Sequence, residues 1–401
     1  MTGRRQFTQT ASAVAGSLWL GCCHSPLFAQ PQGPSAKPNV LHVGPTRAIK
    51  TIAESSKLAR EGDTVEVDAG DYAADVAVWE RDGMTVRAVG GRVMLRAQGA
   101  AAEGKGIWVV RANGMRVEGL DFEGSRVSGQ NGAGIRFEKG RLLVRDCSFT
   151  DNENGILTSN QPDAELEIEN SEFGHNGHGD GQSHNLYVGA IARLKVTGSY
   201  FHHARVGHLL KSRAAENRIF YNRLTDEAGG RASYELEFSN GGIAYVVGNI
   251  IQQSAKTENP HLVSYGAEGY TSPKNELYLI NNTLVDDRAQ GGVFLRIAPG
   301  HVLVKVVNNL MVGQGRFDFA GPGDYRNNLK MTWSDFELST SDDFRLKRNA
   351  KAVGKMVEAG RANDVDLQMN AEYVHPISTK LLPGKPHNPG AVQRMRPATR
   401  P

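Results

Sequence analysis

An all-β solenoid of stacked parallel strands is the fold the sequence predicts, on three observations. From residue 117 onwards an apolar residue, four intervening residues and a second apolar residue recur, as VEGLDF, VRDCSF, IENSEF, VTGSYF, IFYNRL, VVGNII, LINNTL and VVNNLM. Their last residues, Phe122, Phe149, Phe173, Phe201, Leu224, Ile251, Leu284 and Met311, stand 23 to 33 residues apart. That spread suits coils whose loops differ in length and not a helical repeat of fixed period. A second short strand falls between the copies, as AGIRFE, NGILTS, HNLYVG, GHLLKS, SYELEF, HLVSYG and GVFLRI, each bounded by Gly, Asn or Asp. The 46 glycines against 7% aromatic residues point to the same many-turned chain.

In chain order, residues 1–29 carry a twin Arg, a polar stretch, a short apolar run and a small-residue cleavage site near Ala29, and read as a twin-arginine export signal. The remaining chain is then expected in the periplasm or secreted. Cys22 and Cys23 leave a lipoprotein reading open, which Trp19, Leu20 and Gly21 fit poorly. Neither the apolar run nor any later segment is long enough to span a membrane, so no stable insertion is expected. Losing Arg4 and Arg5 takes the formal charge of +3 to +1, which leaves no charge argument for nucleic acid. Cys147 then stands as a single thiol and reads as a small buried core residue.

The next stretch, TRAIKTIAESSKLAREGDTVEVDAGDY, places Ile49, Ile52, Ala53 and Leu58 on one face of an amphipathic helix that ends before Gly62 and Asp63. A plug is needed there, because an open solenoid end exposes strand edges and core side chains. Residues 40–330 are read as the solenoid with this N-terminal cap, and 331–401 as a C-terminal capping segment and tail. Asn222, Asn249, Asn282 and Asn309 share one register, which predicts a ladder of stacked amides at a corner, with the Asn in the left-handed conformation.

The helix followed by GDTVEVDAGDY resembles the N-terminal cap of the pectate-lyase-like right-handed parallel β-helix superfamily. SDDFRLKRNAKAVG and NPGAVQ resemble the closing segments of its bacterial members. The resemblance spans about residues 40 to 395. It implies a right-handed coil and is specific for fold alone, since this architecture hosts lyases, hydrolases, epimerases and adhesins.

For the site, alternation in GHLLKSR turns Leu210 and Ser212 toward the core and Lys211 and Arg213 outward, ~7 Å apart along the strand. In the next coil SYELEF puts Leu236 and Phe238 inward and Glu235 and Glu237 outward, and the previous coil brings His184 and Tyr187 near the same column. His208, Tyr265 and Glu268 are expected to line the groove beside them. Taken singly these charges read as a solvated ladder worth about 0.2–1 kcal/mol per pair. Their grouping in consecutive coils reads as a substrate site.

The KS of this strand, followed by NRIFYNRL, resembles β-helical lyases that cleave alginate and chondroitin-type polysaccharides. The resemblance implies Lys211 as the Brønsted base. The Arg it calls for in the following coil is missing: LEFSNGG offers Glu237 and Ser239, leaving Arg213 or Tyr187 to stand in. The expectation is an exported carbohydrate-active protein, a lyase that cleaves an extended anionic, uronate-containing polysaccharide by β-elimination. Lys211 or His184 would act as base, Tyr187 as acid and Arg213 as a fork for the sugar carboxylate. The glutamates oppose deprotonation of Lys211, which favours His184.

Two alternatives remain open, a glycoside hydrolase using Glu235 and Glu237 with Asp180 or Asp226 as a third member, and a non-catalytic solenoid that binds glycans or scaffolds an envelope assembly. No cofactor is required, and calcium is the one ion the resemblance admits. His175, His178 and His184 in GHNGHGDGQSH read as a loop over the groove rather than a zinc site, with His202, His203 and His208 following in the next coil.

Overall fold

The computed structural model describes residues 38–300, 302–319, 322–338 and 343–393. The export signal expected over residues 1–29 lies outside them. The described chain is a parallel β-helix in which each central coil gives three short strands, each paired in parallel with its counterpart one coil on. Arg193–Thr197 pairs with Glu216–Phe220, Tyr200–His202 with Arg223–Thr225, and Leu186–Val188 with Leu210–Ser212.

The eight repeat ends form one continuous column, Phe122 beside Phe149 and so on through Phe173, Phe201, Leu224, Ile251 and Leu284 to Met311. The four phenyl rings stack with centroids 4.9, 4.7 and 4.7 Å apart. That matches the spacing of about 4.8 Å between strands, so one ring per coil fills the core without a gap. The strands between the copies form a separate sheet, the groove sheet, with ten strands among the described residues.

Two of those ten, Ala77–Trp79 and Gly106–Val110, precede the first repeat copy. The pattern misses that coil because its corner is longer. Val86 pairs with Val117 and Leu95 with Phe122, so residues 87–94 stand where later coils have four.

Asn222, Asn249, Asn282 and Asn309 do form a ladder. Each donates Nδ2 to the Oδ1 of the next at 3.0 Å, and Asn309 extends it to Asn328 at 2.8 Å. The left-handed conformation falls one residue earlier than expected, on Tyr221, Gly248, Asn281, Asn308 and Asn327. The reversal there turns the following amide inward, where it can reach backbone: Asn249 also donates to Ile219 O at 2.8 Å and accepts from Asn222 N–H at 2.9 Å. Asn152, Asn176 and Asn185 form a shorter ladder at another corner.

Ile52–Leu58 is the one α-helix among the described residues. Thr51 caps it, accepting from Glu54 N–H at 3.1 Å, and Asp75 accepts from Ile52 N–H and Ala53 N–H at 2.6 and 2.8 Å. Its buried face is narrower than expected. Ile52 is buried, but Ile49 precedes the helix and bridges to Val43, and Leu58 is 53% exposed. A helix of seven residues makes two turns, too few to seat all four apolar positions on the coil below.

Residues 343–393 fold back along the solenoid. Leu367 and Met369 pack with Tyr245 and Tyr278, Tyr221 donates its hydroxyl to Asn370 Oδ1 at 2.9 Å, and NPGAVQ docks on the left-handed asparagines. Gly390 N–H donates to Asn308 O at 2.9 Å, and Asn281 Nδ2 to Asn388 O at 3.3 Å. Cys147 is fully buried, and burial pushes its thiol up to about 12. No helix among the described residues is long and apolar enough to cross a membrane.

Candidate active site

One outward residue per coil builds a column along the groove sheet: Arg136, Leu157, Tyr187, Lys211, Glu237, Ser264 and Arg296. Neighbours in it are one strand apart, about 4.8 Å. The alternate residues Leu186, Leu210, Ser212, Leu236 and Phe238 are fully buried, which is what fixes the polar set outward.

Lys211 lies at the centre. Its Nζ is 2.8 Å from Glu268 Oε1 and 3.3 Å from Glu237 Oε2. Arg213 sits two residues on, with NH2 2.7 Å from Glu268 Oε2, Nε donating to the Tyr187 hydroxyl oxygen at 3.1 Å, and NH1 donating to Asn240 Oδ1. Glu237 Oε2 accepts from Ser239 Oγ at 2.8 Å and faces His208 Nε2 at 3.0 Å. Both cations also approach the Tyr187 ring, Lys211 Nζ at 5.9 Å and Arg213 Cζ at 5.8 Å from its centre.

Electrostatics then assign the charges. Burial opposes the charged form of Glu237, but His208, Lys211 and Ser239 outweigh it and hold its pKa at about 2. Burial also opposes the charged form of Lys211, yet Glu237 and Glu268 prevail and its pKa is raised. Lys211 is therefore an ammonium while Glu268 stays in place. Glu268 is lowered, because the bonds from Lys211 and Arg213 outweigh its partial burial.

His184 does not serve as the expected base. It is buried, and burial followed by the nearby His208, Lys211 and Arg213 lowers its pKa well below the ordinary imidazole value. Its Nδ1 accepts from His208 N–H at 2.9 Å. The neutral ring then carries its proton on Nε2 and has no lone pair left to take another. His208 is buried too, and it meets the groove charges through Glu237 while its ring packs edge-on to His184. Tyr265, expected on the groove, points inward, is fully buried and donates to Gly242 O, since it falls on the inward phase of its strand.

Glu235 is the largest departure. It is fully buried, and neither carboxylate oxygen meets a hydrogen-bond partner outside its own residue. Strand alternation starts only at Leu236, so Glu235 belongs to the corner, where the adjacent coils place the buried residues Leu209 and Leu262. Burial and the Asp226 carboxyl push its pKa well above the carboxylate range, and burial pushes Asp226 itself up to about 8. Glu235 and Glu237 thus share no open space, Asp226 is buried, and Asp180 lies exposed on a loop, which removes the hydrolytic pair.

A carboxyl whose folded pKa is raised favours folding fully below its unfolded value of about 4.3, and that benefit is lost as pH rises toward the folded value. Glu235→Leu continues the Leu209 and Leu262 column, so it is expected to stabilise the fold at pH 8 by about 1–4 kcal/mol, and by less at pH 4. Urea unfolding at the two pH values checks this, and a loss of stability at pH 8 would contradict a strained carboxyl.

Sequence reasoning missed Arg136 and Asn240. Arg136 shares the outward register of Lys211, the signal that could have found it, and with Asn154, Asn160, Gln182 and Tyr187 it lines a cleft of about 390 Å³. The groove carboxylates do not fit a calcium ion. Glu237 and Glu268 are each committed to cations, and among the described residues no three acidic groups converge.

A family model described as a right-handed β-helix region matches residues 96–251. Among solved structures, pectate lyase Pel9A gives a TM-score of 0.61 at 12% identity, over 90% of this chain and 97% of that one. The pectin methylesterase from Aspergillus niger gives 0.34 at 9% identity, over 79% and 92%, a likeness too weak to carry an argument. No curated protein sequence matches this one.

Proposed function

Starting from the right-handed parallel β-helix, the fold this chain shares with pectate lyase Pel9A, we propose that it is a polysaccharide lyase acting on a uronate-containing polymer. One observation carries the reading: a carboxylate, that of Glu268, bridges Lys211 and Arg213 on the open groove. Glu268 is 42% exposed on a loop, so a sugar carboxylate can displace it and take the same two cations. Arg136, three strands and about 14 Å along the column from Lys211, offers a third cation, placed for a neighbouring uronate.

Elimination needs the carboxylate neutralised, the proton on the adjacent carbon removed and the departing oxygen protonated. Lys211 and Arg213 supply the first. Tyr187 supplies the others, because His184 has no free lone pair and Lys211 holds its proton. As phenolate, with its own proton given to solvent, Tyr187 takes the proton from the carbon next to the carboxylate. The C–H electrons form the C=C bond while the C–O bond at the next carbon breaks, and Tyr187 returns the proton to the leaving oxygen. Arg213 Nε, 3.1 Å from the phenol oxygen, meets the charge that develops there.

The reading requires no calcium. It also places the enzyme outside the cytoplasm, reached through the twin-arginine leader, where such polymers occur. Incubation with polyuronates, following ultraviolet absorbance of unsaturated ends and new reducing ends together, tests it. Both signals are expected to rise, equally with EDTA and with calcium. Reducing ends without absorbance, or neither signal on any polyuronate, would overturn the lyase reading, and a strict need for calcium would overturn the assignment of Lys211 and Arg213 as the carboxylate clamp.

A further inference from the structure

Away from the groove, three histidines of two adjacent coils converge at the corner that precedes the groove sheet. Asp151, His175 and His203 hold the same left-handed corner position in successive coils, with φ of 61, 57 and 44°. That register stacks His175 on His203, ring centres 4.7 Å apart, and His202 ends the strand just before. One ring nitrogen from each of His175, His202 and His203 lies within 4.8 Å of the others.

The detail at His202 is what distinguishes a metal cluster from a crowded corner. Its Nε2 faces Glu172 Oε1 at 3.0 Å. A carboxylate can only accept, so Nε2 carries the proton and Nδ1 of the neutral ring is left as a lone pair. A carboxylate behind a histidine whose other nitrogen is bare is the arrangement found around metal-ligating imidazoles. That bare Nδ1 points at His203 Nδ1, 2.8 Å away.

We propose that His175, His202 and His203 bind one late first-row divalent cation, Zn²⁺ first, with Glu172 as the outer carboxylate and water completing the shell. Nitrogens on a tetrahedral Zn²⁺ stand about 3.3 Å apart, given Zn–N bonds of about 2.0–2.1 Å. The His202–His203 pair is near that separation already, and His175, on the exposed rim, closes by side-chain rotation. On binding, the proton on His203 Nδ1 moves to its Nε2 and the freed lone pair joins the metal. The other two histidines of GHNGHGDGQSH stand apart from this set. His178 faces Glu153 at 3.6 Å, and His184 lies against Tyr187 and His208 in the groove.

The test needs no substrate, so it stands or falls apart from the lyase reading. Tag-free, chelator-stripped protein is titrated with ZnCl₂ by calorimetry, and with Co²⁺ by visible absorption. One ion per chain is expected. His175→Ala, at the exposed rim, should weaken binding at least about 100-fold, and Glu172→Gln about 10- to 100-fold. Circular dichroism of the stripped variants separates lost ligands from lost fold. Wild-type protein that takes up no Zn²⁺, or a folded His175→Ala variant that binds it as tightly as wild type, would overturn the assignment.

Discussion

Tyr187→Phe is expected to slow polymer cleavage by about 100- to 10,000-fold while leaving polymer affinity within a few-fold. The substitution removes only the hydroxyl. The ring stays between Lys211 and Arg213, which go on holding the sugar carboxylate, so the loss falls on kcat and not on KM. Lys211 gives the companion measurement. If Lys211 holds the carboxylate, Lys211→Arg retains a measurable part of kcat, since a guanidinium is also a cation for that role, while Lys211→Ala raises KM and lowers kcat further. If instead Lys211 removes the proton, both variants lose kcat and Tyr187→Phe costs little. Steady-state kinetics on the three variants decides between the two.

The second large effect concerns the fold. Asn249→Ala is expected to destabilise the solenoid by about 3–6 kcal/mol, because it orphans several buried groups that each cost about 1–3 kcal/mol. Asn249 is fully buried and makes four bonds: it accepts from Asn222 N–H and Asn222 Nδ2, and donates to Ile219 O and Asn282 Oδ1. Urea unfolding of the variant measures the loss. A cost below about 1 kcal/mol would mean the ladder marks the corner without holding it.

How much of this was legible depends on whether a feature repeats. The column from Phe122 to Met311 could be read because each coil must put an apolar residue at the same core position, whatever the loop between. Lys211 and Arg213 were found because they break that apolar pattern on the outward phase of a strand. Glu235 was misplaced because strict alternation was extended one residue into a corner, and corner residues obey the turn rather than the pleat. His184 had the right chemistry and the wrong tautomer, a matter set by the backbone N–H of His208 in the next coil, which no local pattern encodes. The His175, His202 and His203 set was hidden for a related reason: the spacing that matters is one coil, and only the register shows which residues it brings together.

The returning segment, residues 343–393, changes how the solenoid can come apart. In a stack where each coil touches only its neighbours, unfolding can begin at either end and travel coil by coil. Here one strip of chain grips Tyr221, Tyr245, Asn281 and Asn308, which belong to four successive coils. Those coils cannot peel away singly while the strip is docked, and the strip has nothing to dock on until all four are built. Fraying from the C-terminal end is thereby replaced by a single cooperative step, the last to form and the first that must break.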